Sequence, residues 1–82
     1  MKVGTRADRE HGALRLAGII KQGERRPFAH VDIYWQGHPV GHANASAAVI
    51  SEGPWEDGAH RMTWSIVSQV AVRLARFMEA AR

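Results

Sequence analysis

Apolar and polar residues alternate through the middle of the chain and then change period near its end, a switch that predicts a sheet followed by a helix. Over Ala13–Lys21, Leu14, Leu16 and Ile20 fall on one side and Arg15 and Lys21 on the other, which predicts a strand with a bend at Gly18. Phe28–Trp35 alternates more strictly, Ala29, Val31, Ile33 and Trp35 opposing Phe28, His30, Asp32 and Tyr34. Gly and Pro content predicts a loop over Gln36–Gly41. From His42 the alternation resumes, with Ala43, Ala45, Ala47 and Val49 against His42, Asn44, Ser46 and Ala48. That predicts a third strand, with a short Ala-rich helix as its competitor. Setting Trp35 against Gly41 puts Ile33 beside Ala43 and Val31 beside Ala45 on the apolar face. The same register gathers His30, Asp32, Tyr34, His42, Asn44 and Ser46 into a polar face where a partner could bind.

His60–Arg82 has helical period. At about 100° per residue, Met62, Ile66, Phe77, Val70, Ala81, Leu74, Val67, Met78, Ala71, Trp64 and Ala75 fall in that order across roughly 220°. A helix lying on a sheet needs about half of that arc. The surplus, centred on Trp64, Ala71, Ala75 and Met78, is expected to meet a second apolar surface, most simply another copy of the chain or a partner protein. Asp57 is the expected N-cap, and Trp55, in the segment before the helix, either caps the core or anchors an interface. The expected architecture is α+β, a three-stranded antiparallel sheet packed on one long C-terminal helix. Residues 13–82 then form a single β-β-β-α domain behind a flexible N-terminus of residues 1–12.

A chain of 82 residues buries only about 60% of its unfolded surface. A shared interface would therefore add meaningfully to its stability. It contains no cysteine, and no run approaches the length of a signal sequence or membrane span. A cytoplasmic protein without membrane contact is expected. Charge is unevenly placed: residues 1–26 carry seven basic and three acidic side chains, 27–60 none and four, and 61–82 four and one. The net charge of +3 is an ordinary solubility margin despite a pI near 10.2. Nine of the eleven basic residues are Arg and thirteen residues are Ala, a usage typical of GC-rich bacterial or phage genes.

The candidate chemistry is sparse. His38 and His42 have i, i+4 spacing, but Pro39 and Gly41 between them exclude the helix that would make it chelating. No metal or other cofactor is expected. His30, Asp32 and His42, with Ser46 nearby, could form an acid/base group, yet a flat, wetted sheet face neither excludes water nor perturbs a pKa. No enzyme is expected. Phosphate-binding glycine loops are absent from the sequence. Arg15, Lys21, Arg25 and Arg26, with the basic residues of the N-terminus, form an edge that could contact nucleic-acid phosphates, for which solvated turn charge is the simpler account.

Phe28, Val31, Ile33, Gly37, Gly41 and Ser46 resemble the middle hairpin of a double-stranded RNA-binding domain, and the strand, strand, strand, helix order resembles that family's second half. The resemblance implies RNA as a ligand. Where that family starts its last helix with Lys-Lys-x-Ala-Lys, this chain has Ala47-Ala48-Val49-Ile50-Ser51, and its opening helix has no counterpart here. By size and absence of motifs the chain is also similar to small phage-encoded inhibitors, anti-CRISPR proteins among them. The expected function is therefore non-enzymatic protein binding, with a homodimer through the helix and an inhibitory or accessory role toward a larger partner. Nucleic-acid binding through the basic edge is the alternative.

Overall fold

A computed structural model describes residues 2–51 and 61–81. It is an α+β fold in which one antiparallel sheet packs against a C-terminal helix. The sheet has five strands, β1 (Arg6–His11), β2 (Leu14–Gln22), β3 (Pro27–Trp35), β4 (His38–Ala43) and β5 (Ala48–Ile50), in that spatial order. The helix, α1, spans Arg61–Ala80.

Three expected strands become five for reasons that lie in the turns. The segment read as a flexible terminus contains β1, whose Arg-Ala-Asp-Arg-Glu-His carries no apolar alternation. Its ladder with β2, running from Arg6↔Ile19 to His11↔Leu14, closes through Gly12-Ala13. Gly12 has φ +59°, which suits the first position of a type II′ hairpin turn. The expected six-residue loop is only Gln36-Gly37, both at positive φ (51° and 80°), the signature of a type I′ turn. β4 accordingly starts at His38, and Pro39 is tolerated because the register shifts there, with Tyr34 opposite Pro39 but Ile33 opposite Gly41. Val40 is the extra residue of that bulge, and it is fully buried.

The expected third strand is broken in two. Asn44 Oδ1 accepts from the backbone N–H groups of Ser46 (2.8 Å) and Ala47 (2.9 Å), and Asn44 N–H donates to Ala47 O (2.9 Å). This Asx-type turn separates β4 from β5. Register differs from expectation by two residues, with Val31 opposite Ala43 and Ile33 opposite Gly41. A two-residue slip preserves the faces, so large residues still oppose small ones. Gly18 shows no break in pairing, standing opposite Ala7 on one side and Val31 on the other. A Cβ there would collide with Met78 Sδ, so this glycine admits the helix.

The core joins Leu16, Ile20, Ala29, Val31, Ile33, Val40 and Ala43 of the sheet to Trp64, Val67, Ala71, Leu74, Ala75 and Met78 of α1. Trp35 closes one end, its ring meeting Trp64 edge-on at 5.5 Å and 73°. Two polar ties fix the helix along its axis. Ala29 N–H, just past the end of the β4 ladder, donates to Glu79 Oε2 (3.1 Å), and Arg76 Nε donates to Ala45 O (2.8 Å).

Candidate docking surface

Trp64, Ala71, Ala75 and Met78, expected to form an interface, are instead the face on which α1 seats, at 6%, 0%, 0% and 5% exposure. The correction follows from side-chain size. Ala71 and Ala75 let the helix backbone approach the sheet, so dispersion contacts are densest with that arc inward. The apolar surplus is real, but it lies on the other flank. Ile66, Val70 and Phe77 are 60%, 41% and 62% exposed, and together offer on the order of 300 Å² of apolar surface, as much as the largest patch on many monomers. Trp55 and Asp57 lie outside the described residues.

This flank overhangs β1. The packing of α1 is heaviest on β3 and extends to β5, β2 and β4. Ala7, Arg9 and His11 stand opposite Gly18, Leu16 and Leu14, on the core-facing side of the sheet, yet Arg9 and His11 are exposed. A cleft of about 480 Å³ lies between the β1–β2 turn and the helix, walled by Leu14, Trp35, Ile66, Val67 and Val70. Val70 also lines an adjoining hollow of about 330 Å³ with Arg9, Arg73, Leu74 and Phe77. The two hollows meet at Val70; the first is lined mainly by apolar side chains, and the second adds Arg9 and Arg73 to Leu74 and Phe77.

On the opposite face of the sheet, His30, Asp32, Tyr34 and His42 come together as expected, but Asn44 does not join them because its side chain is committed to the turn. Asp32 pairs across strands with His42 in place of Asn44. His30 Nε2 lies 2.9 Å from Asp32 Oδ1, and the His30 and His42 rings stack at 5.7 Å. Both members of the His30–Asp32 pair are wetted, with side chains 24% and 46% exposed. Among the described residues, no three His, Asp or Glu side chains converge to hold a metal ion. The basic edge is divided: Arg15 lies over the Tyr34 ring at 5.4 Å and beside Asp8 (3.7 Å) and Glu10 (4.0 Å), whereas Lys21 and the turn residues Arg25 and Arg26 are exposed. In place of a helix start, residues 48–50 are a strand, so the chain departs from the RNA-binding pattern in structure as well as sequence.

No protein-family profile, curated protein or solved structure matches the chain. Among the described residues, no helix is long and apolar enough to cross a membrane.

Reasoning on apolar period alone missed Ile66, Val70 and Phe77 as the uncovered flank. A signal was present in the body of the helix: Arg73 falls between Met62 and Ile66 on the helical wheel, and a charge interleaved with one end of an apolar arc marks the end that meets water. Arg82, by contrast, falls between Ala71 and Ala75 but follows Ala80, the last residue of α1.

Proposed function

We propose that the protein is a non-enzymatic protein-binding domain that docks its partner on the β1-side flank of α1, and that it acts as an inhibitor or accessory of that partner. The observation that supports this reading is the exposure of Ile66, Val70 and Phe77 beside an apolar cleft, on a chain whose small core already uses the opposite face of the helix. Self-association through the same flank belongs to the same reading. An enzymatic role for His30 and Asp32 draws little support from a pair so open to water. For the nucleic-acid alternative, Arg15 stands beside the carboxylates of Asp8 and Glu10, which would face an incoming phosphate.

The test compares the full chain with an Ile66→Glu/Phe77→Glu variant, both by sedimentation and by affinity capture from nuclease-treated lysate of the source cells. Both positions are exposed, so the variant keeps its fold, checked by circular dichroism. The expected result is self-association or a nuclease-resistant protein partner in wild type, weakened at least tenfold in the variant. Two identical monomers capturing the same material would overturn the reading. So would binding to RNA or DNA that persists from low to moderate salt, because phosphate contacts weaken steeply with ionic strength and only a specific site survives.

A further inference from the structure

Five strands make a sheet about 19 Å wide between its outer strand axes, and helices pack side by side at about 8–10 Å. Such a sheet has room for two helices, and among the described residues only α1 is present. Because α1 packs most heavily on β3, two strand spacings or about 9.6 Å from β1, the strip above β1 is a slot of about one helix width. Its floor is Ala7, Arg9 and His11, and its wall is Ile66, Val70 and Phe77. Those wall residues follow one another at intervals of four and seven, the spacing at which a helix meets a second helix along a seam.

Charge selects the occupant. Arg9 and Arg73 flank Val70 and Phe77. Among the described residues neither meets a carboxylate, since the ion pairs there join Arg15 to Asp8 and Glu10, and His30 to Asp32. Glu79, the acid of α1, is turned to Ala29 N–H. A second copy of α1 laid in the slot would bring its own Arg73 against this arginine pair, a like-charge apposition that disfavours the homodimer. The apolar area, on the order of 300 Å², is less than half of the roughly 800 Å² per partner of a standard interface, which suits one inserted segment better than a broad globular face.

We infer that the slot receives a single amphipathic helix of a partner protein, aliphatic along the seam with α1 and acidic where it passes Arg9 and Arg73. This rests on the docking reading above and adds the chemistry of the occupant.

The probe is a phage-displayed library of a single-helix scaffold with randomised surface positions, selected on the full-length chain. Enriched helices are expected to carry aliphatic residues at i, i+4 and i+7 beside Asp or Glu. They should bind Ile66→Glu/Phe77→Glu at least tenfold more weakly, and binding to Arg9→Glu/Arg73→Glu should fall similarly and recover when the acids of the helix are changed to Lys. Helices that lose binding in the first variant but show no acid preference would overturn the inference and leave the docking reading standing. A stable wild-type dimer, split by Phe77→Glu, that excludes every displayed helix would identify the occupant as a second copy and overturn it too. No selected helix sensitive to the flank, together with a monomer at all concentrations, would sink both.

Discussion

Replacing Trp64 with alanine is expected to remove about 3–5 kcal/mol of stability, and replacing it with glutamate to abolish the cooperative unfolding transition. A domain of this length has a total stability of about 4–12 kcal/mol at typical per-residue values, so the alanine variant is marginal and the glutamate variant unfolded. The indole is 94% buried, at 6% exposure, and supplies the edge-on contact with Trp35 at 5.5 Å. Truncation leaves a cavity between helix and sheet, and a carboxylate there has no cation in reach among the core residues. Among the described residues, no acceptor meets Trp64 Nε1. Trp64→Phe therefore keeps an aromatic contact while deleting an unpaired donor, and costs less than about 1.5 kcal/mol. Urea unfolding followed by circular dichroism separates the three variants. Near-equal stabilities would show that α1 does not seat on this side chain.

Gly18→Val is expected to cost about 1–3 kcal/mol through overpacking, although valine favours strands and glycine does not. The added Cβ collides with Met78 Sδ and sits 3.1 Å from Ala7 O, so Met78 swings its thioether into a less well packed rotamer, the helix lifts, or the β1 ladder shifts. The companion variant Gly18→Val/Met78→Ala separates these outcomes. If the sulfur is the obstacle, the double variant is more stable than the sum of its single changes predicts, because the valine methyls occupy the space that Met78 leaves. Simple additivity in the same unfolding experiment would assign the cost to β1 instead.

Much of the fold is legible in the sequence, and the parts that are not have separate physical causes. β2 and β3 carry one-sided apolar alternation, and α1 carries a 3.6-residue period; each was placed to within a residue or two. β1 was invisible because its hydrogen bonds, not apolar burial, hold it to β2. The β3–β4 turn was overextended because Gln36 at φ 51° is an unusual residue for a type I′ position, and Pro39 and Gly41 read as breakers until the bulge is known. At the candidate site, the excess of apolar surface on α1 was legible but its direction was not. A hydrophobic wheel ranks all apolar residues alike, whereas seating against a sheet favours Ala71 and Ala75, whose small side chains permit close approach. The polar face was largely legible because alternation survives a two-residue slip, and Asn44 was misplaced because its turn hydrogen bonds outcompeted strand pairing.

Both functional proposals require α1 to seat on its small-residue arc and leave the Ile66, Val70 and Phe77 flank open. The chain has no cysteine, so a single introduced thiol reports on one position without background. The decisive measurement is the rate of maleimide labelling of Phe77→Cys against Ala71→Cys in native buffer, at concentrations low enough to exclude association. Phe77→Cys should react near the rate of an unstructured thiol, and Ala71→Cys only on global unfolding, slower by 100-fold or more if opening costs at least about 2.7 kcal/mol. Rapid labelling at position 71 with protection at 77 would place the helix the other way round and contradict the account.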